Sequence, residues 1–306
     1  MEIKFIILTI FILAFGPVIS QENNEIKIGL NTQAEVDSFP KKYPNIEEVA
    51  SLYIRSNREN PILNLDSLSQ IKRITDFLIL TSNHQLESIS GLRNLSYARS
   101  LEFFDNDRVP SLTAFESLSK VHSKIKIAGN KILVGFEIIN KIDLDSITSL
   151  TISGNENMNE LHIRRNLKNL KYLGIEGNRN LSFMSDFEVA DTMEYISISA
   201  NPKLKIINTF QSIKKLSRLM IVSNLQLEKI HFPRLKMIEA EFLLIGNINL
   251  KDATFLKKIK FGKNPDVTIV ANYKIQIDHL SNVCFLKSKF PETVFVERNS
   301  IDCPSK

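Results

Sequence analysis

Tryptophan is absent from this 306-residue chain, and cysteine (two) and glycine (ten) are scarce. Two cysteines exclude a disulfide-dense scaffold, and ten glycines exclude a collagen-like repeat. Neither sign of charge dominates. The 39 Lys and Arg against 34 Asp and Glu leave +5, too mild an excess for a nucleic-acid footprint. Beyond the first twenty residues, no stretch approaches the roughly 20 consecutive apolar residues of a membrane-spanning helix. Catalytic signatures are also missing: there is no G-x-S-x-G, H-E-x-x-H, phosphate loop or G-x-G-x-x-G. His84, His122, His162, His231 and His279 are scattered, and no carboxylates pair up. An enzyme, a metal site and a cofactor are therefore not expected.

The start is different. Lys4 precedes an apolar run, Phe5 to Phe15, broken only by Thr9, and Gly16-Pro17 then ends any helix. This is the pattern of a secretory leader, residues 1–20, cut before Gln21. The run is too short to anchor in a bilayer roughly 30 Å thick. A secreted, extracellular protein without stable membrane insertion is expected. In an oxidising compartment Cys284 and Cys303 read as a disulfide. Closing a loop of about 20 residues stabilises by about 3 kcal/mol in the chain-entropy model. Asn94-Leu95-Ser96 and Asn180-Leu181-Ser182 become glycosylation sequons.

The strongest signal is internal repetition. The pattern apolar-x-apolar-x-x-Asn, with Leu, Ile or Phe at both apolar places, ends at Asn31, Asn57, Asn83, Asn106, Asn130, Asn155, Asn178, Asn201, Asn224, Asn247 and Asn264. The steps are 23–26 residues until a last step of 17, and the single off-phase match is Leu161-Ile163-Asn166. Another apolar residue follows most of these asparagines by three positions, as in Leu86, Met158, Leu204 and Val267. Two apolar residues one position apart share a side of a strand. The later apolar residue turns inward again, so a corner lies at the asparagine. An amide there can satisfy turn backbone that no strand ladder reaches. Stacked asparagines are expected to form a hydrogen-bonded column.

The spacing predicts an α/β repeat: a right-handed, leucine-rich-repeat-like solenoid with a parallel sheet face and short helical or irregular returns. Residues 21–265 read as the continuous solenoid, with units at about 45–135 and 145–265. Residues 266–306 read as a disulfide-closed cap containing one degenerate rung, Val294-Phe295-Val296-Glu297-Arg298-Asn299. Positions flanking each inward pair face outward. In the middle these are Ser149, Thr151, Ser153, Ser197 and Ser199, edged by Tyr172 and Tyr195. Met220, Val222, Leu243 and Ile245 form an apolar group later in the chain, and Tyr53, Phe77, Ile79 and Phe104 form another near the start. The later group, with Tyr172 and Tyr195, is the candidate partner surface. The basic clusters Arg164-Arg165-Lys168-Lys171, Lys214-Lys215-Arg218 and Lys257-Lys258-Lys260-Lys263 offer a second contact, to an acidic glycan.

Leu65-x-x-Leu68-x-x-Ile71-x-x-Ile74-x-x-Phe77-Leu78-Ile79-Leu80 shows a return segment running into a strand. Leu86-x-x-Ile89-x-Gly91-Leu92-x-x-Leu95 repeats the return, and Gly129-Asn130, Gly154-Asn155 and Asn201-Pro202-x-Leu204 repeat the corner. In this rhythm the chain resembles the receptor L-domain family, the solenoid of insulin-type and epidermal-growth-factor-type receptor ectodomains. It resembles the small secreted, nematode-type members built only from such domains. The resemblance implies recognition of an extracellular protein or peptide ligand. A cysteine-rich module, a membrane segment and a kinase are missing, so receptor signalling is not implied. A structural cell-surface or matrix protein that self-associates is the alternative.

Overall fold

The computed structural model describes residues 20–22, 25–134, 136–185, 188–300 and 303. Nearly all of the expected leader, residues 1–19, lies outside the described residues. One sheet runs from end to end, and successive rungs of the repeat are its neighbours. Its first rungs are Glu25–Leu30, Glu48–Ile54, Arg73–Thr81, Tyr97–Phe104, Lys120–Ala128 and Ser149–Ser153. Tyr172–Glu176, Thr192–Ser199, Lys215–Val222, Met237–Ile245, Asp266–Val270 and Val294–Glu297 continue it. All of these pair in parallel; only the short Ser20–Glu22 strand is antiparallel, against Glu25–Lys27. This is a leucine-rich-repeat-like α/β solenoid.

Alternation decides which side of each strand is buried. In Thr192–Ser199, Ile196 and Ile198 are sealed inside while Tyr195 and Ser199 stay partly open. One apolar cluster extends from Ile28 to Val296. Each rung therefore buries its apolar residues against the next, as repeat architectures must. The sheet crosses residues 135–145 without a break, because Lys124–Ala128 pairs with Ser149–Ser153. The two expected units are one array.

The returns are mostly single 3-10 turns. Leu65, Leu68, Ile71 and Ile74 recur every third residue, the period that puts 3-10 side chains on one face, and all four are buried. Leu68 N–H donates to Leu65 O and Ile71 N–H to Leu68 O. Gly91 sits where two returns touch: a Cβ there would lie 1.5 Å from the Leu65 carbonyl oxygen. The four rungs between Asn155 and Asn247 contain no 3-10 turn among the described residues.

Helices close both ends. α1 (Gln33–Lys42) starts at a capping box, Thr32 with Glu35, and buries Val36 and Phe39. α2 (Ile277–Lys289) packs on the Thr254–Lys257 turn and the last strand. Cys284 of α2 is bonded to Cys303, as expected, with Cα atoms 5.3 Å apart.

The C-terminal boundary needs correction. The solenoid does not stop at 265, because Asp266–Val270 pairs with Glu241–Ile245 and then with Val294–Glu297. Other rungs carry a bulge before their inward pair, for example between Leu216 and Arg218. Here that bulge has grown into a loop. Lys260–Phe261 pairs with Met237–Ile238, residues 262–265 loop out, and the strand resumes at Asp266. The true motif of this rung is therefore Val267-x-Ile269-x-x-Asn272, and Asn264 is exposed.

Candidate recognition surface

The corner that carries the sheet face is built identically in ten rungs. The residue before each ladder asparagine is left-handed: Ser82, Asp105, Gly129, Gly154, Gly177, Ala200, Ser223, Gly246, Ala271 and Arg298, with φ from +53° to +68°. That twist turns the following amide inward. Each of the ten asparagines then donates from Nδ2 to a strand carbonyl of the preceding rung, as in Asn178 to Ile152 O at 3.0 Å. Each Oδ1 from Asn130 to Asn299 accepts the backbone N–H of the asparagine before it, at 3.0–3.3 Å. The expected column exists, but its membership differs. It runs Asn83, Asn106, Asn130, Asn155, Asn178, Asn201, Asn224, Asn247, Asn272 and Asn299.

Three expected members are outside it. Asn57 is exposed: its N–H donates to Asn31 O, so the chain runs straight past the corner. Ser56 takes its place, donating to Asn83 Oδ1 at 3.0 Å. Asn31 is half-buried, and its N–H is held by the Glu35 carboxylate of the capping box. Asn264 lies in the loop that displaced its rung. Asn272 and Asn299 are the true last two.

On the outward face three rows cross the sheet. One reads Thr151, Gly174, Ser197, Met220, Leu243, Thr268 and Phe295 in register. The next reads Ser153, Glu176, Ser199, Val222, Ile245, Val270 and Glu297. The third holds Tyr172, Tyr195, Arg218, Glu241 and Asp266. The middle of the face is thus small and polar, while two rows of its C-terminal third are mostly apolar, edged by Arg218, Glu241 and Asp266. Met220, Val222, Leu243 and Ile245 are each half-buried, flanked by neighbours rather than sealed. Val270 and the 45% exposed Phe295 extend the patch to the last strand. Both were missed in the sequence because that stretch reads as a cap.

Tyrosines edge the patch on one side. Tyr195 Oη donates to Met220 Sδ at 3.1 Å, and the Arg218 guanidinium lies 5.5 Å from the Tyr195 ring. Tyr172 donates to the Glu194 carboxylate, a bond that raises the phenol and lowers the carboxyl relative to their ordinary values. The N-terminal group is smaller. Tyr53 and Phe77 are exposed, whereas Phe104 sits under the Lys126 ammonium at 4.5 Å.

Basic clusters are partly neutralised across rungs. Lys171 pairs with Glu194 at 3.3 Å, Lys214 with Asp191 at 3.0 Å, Lys215 with Glu239 at 2.8 Å, and Lys257 with Asp278. Asn94 is exposed and its Nδ2 donates to Ser69 O; the half-buried Asn180 donates to Glu156 O. His84 joins Lys131 on Asp107; burial raises that carboxyl, but these two partners hold it below its ordinary value. No group of three His, Cys, Asp or Glu among the described residues is arranged to hold a metal. No described helix is long and apolar enough to cross a membrane.

The fold and the face together define the class: a leucine-rich-repeat-like solenoid whose parallel sheet carries an open apolar patch. No family model matches the chain, and no curated protein matches it. Among solved structures it is similar to the leucine-rich repeat domain of the type III effector XopL. That match has 14% identity and a TM-score of 0.42, covering 72% of this chain and 77% of that one.

Proposed function

We propose that the protein is a secreted, non-catalytic recognition module that binds an extracellular protein or peptide through the C-terminal third of its sheet face. One observation carries the reading. Met220, Val222, Leu243, Ile245 and Val270 form a contiguous, unsealed apolar patch, flanked across Thr268 by the exposed Phe295, on a face whose middle is small and polar. Contiguous apolar surface rimmed by polar side chains marks contact sites. Tyr195 and Arg218 at its edge are of the types enriched at binding hot spots. The leader pattern, the disulfide and the sequons support an extracellular setting, and the receptor L-domain resemblance supports a protein or peptide ligand. Asn94, being exposed, is the better glycan acceptor of the two sequons.

A second reading, self-association into a structural assembly, is favoured by the last strand. Val294–Glu297 pairs only with Asp266–Val270 among the described residues and carries the exposed Phe295. Light scattering of the secreted protein over a hundredfold concentration range separates the two. A concentration-independent monomer supports the recognition module. Growth in mass that Phe295→Glu abolishes establishes self-association instead.

A further inference from the structure

A depression of about 750 Å³ opens on the return side, away from the sheet face, where the four rungs whose described residues form no 3-10 turn lie side by side. That volume is within the roughly 300–1,000 Å³ of small-molecule sites. Arg164, Arg165, Asn166, Glu188, Thr209 and Arg234, contributed by successive returns, are among its lining residues. Two polar atoms there are buried without a partner: Thr209 Oγ1, on a side chain only 1% exposed, and Asn166 Oδ1. Buried polar groups are nearly always satisfied, and an orphan marks a place where a partner is missing.

The remaining groups are held in position. Asn140 accepts the Arg164 N–H on Oδ1, donates from Nδ2 to His162 O at 2.9 Å, and takes the Arg165 Nε–H on its carbonyl at 2.8 Å. Asn166 Nδ2 is engaged by Glu188 at 2.7 Å, which fixes Oδ1 as the free end of that amide. Neither the Arg164 nor the Arg234 guanidinium forms an ion pair among the described residues.

The chemistry of these atoms selects the ligand. Guanidinium groups only donate and carry positive charge, so they favour an anionic acceptor; the orphan Asn166 Oδ1 only accepts, so it requires a donor. Thr209 Oγ can do either. A simple inorganic anion supplies little but acceptors. On a peptide the donors are backbone N–H groups, a side chain's length from any carboxylate except at the C-terminus. On a sugar acid, hydroxyl groups and a carboxylate sit on adjacent ring carbons. We propose that this depression binds an acidic sugar unit. Arg164, Arg165 and Arg234 would take its charge, and Thr209 and Asn166 its hydroxyl groups. The site is distinct from the sheet-face surface and does not depend on it.

The test is an NMR titration of the ¹⁵N-labelled full chain with glucuronate, with glucose and triglutamate as controls. Glucuronate is expected to shift the amides around Arg164, Asn166 and Thr209. Its affinity should exceed that of either control by about tenfold or more, one decade being the step a single lost charged contact produces. Arg164→Gln with Arg234→Gln should remove that advantage. Thr209→Val, which keeps the shape and deletes the orphan hydroxyl, should weaken binding and raise the Tm of the ligand-free protein by roughly 2 °C. A heparin-derived tetrasaccharide binding more tightly than glucuronate identifies a polymeric glycan as the source, and weaker binding identifies a free sugar acid; either sustains the site. Triglutamate or glucose binding as well as glucuronate overturns the proposal. So does a titration indifferent to the arginine substitutions, or a Thr209→Val protein with unchanged or lowered Tm.

Discussion

Asn57 and Asn178 end the same six-residue pattern, yet one is exposed to solvent and the other is sealed in the interior with every amide atom engaged. The difference lies one residue earlier. Gly177 is left-handed at φ +65°, and its N–H crosses to Ser199 O of the next rung. No such residue precedes Asn57. Without that twist the strand ladder continues straight, and the amide points outward. The corner is thus a two-residue device, and the asparagine is only its visible half.

The largest expected effect tests that pair directly. Asn178→Ala removes the donor to Ile152 O and the acceptor for Asn155 N–H, leaving buried groups unpaired. At about 1–3 kcal/mol for each orphan, a loss of about 3 kcal/mol is expected in denaturant unfolding. Asn57→Ala should cost less than about 0.5 kcal/mol. The same contrast should hold at the other end, with Asn272→Ala behaving like Asn178→Ala and Asn264→Ala like Asn57→Ala. Equal losses for Asn264→Ala and Asn272→Ala would break the assignment of the eleventh rung.

A smaller effect sharpens the role of the twist. Gly177→Ala meets only ordinary contacts, 3.7 Å from Gly154 N, so its cost is the left-handed conformation alone. That is about 1 kcal/mol. Ala200→Gly relieves the same strain at the next corner and should be neutral or slightly stabilising. A destabilising Ala200→Gly of similar size would mean that the twist is not where the strain resides.

The smallest effect concerns the C-terminal cap. His279 is buried and accepts the Ala253 N–H on Nδ1, and burial lowers its pKa below the ordinary 6.5. Asp278 and Asp252 oppose that shift and Lys257 adds to it. Because the unfolded chain binds the proton more readily, the stabilisation is complete above about pH 6.5 and is lost as pH falls toward the folded-state pKa. The unfolding free energy should therefore fall on acidification below pH 6.5, and His279→Gln should flatten that dependence. An unaltered slope would remove His279 from the account.

Much of this architecture is legible in the sequence, and the failures have physical causes. Strand phase, parallel stacking and the buried asparagines from Asn83 to Asn247 follow from a repeat of two apolar residues and an amide. The eleventh rung is misplaced because valine fills its first apolar position, at Val267, while Ile259 and Phe261 imitate the motif ahead of an enlarged bulge. That slip hid Val270 and Phe295, the outer part of the candidate surface. Met220, Val222, Leu243 and Ile245 were legible because outward positions follow from the inward pair. The depression around Thr209 was not legible, since it joins returns up to 70 residues apart (Arg164 to Arg234).

The most direct test of the recognition surface is a quantitative binding screen of the purified protein against extracellular ectodomains and secreted peptides. It would be repeated with Leu243→Glu/Ile245→Glu and with Thr151→Glu as a control in the polar middle of the face, where Thr151 is half-buried. The expected result is a partner whose affinity falls by about two decades or more on placing two charges in its apolar contact, equivalent to about 3 kcal/mol. Yield and Tm should be close to wild type, because both leucine and isoleucine are only half-buried. A partner whose binding survives the double substitution, or is lost only with Thr151→Glu, would contradict the assignment.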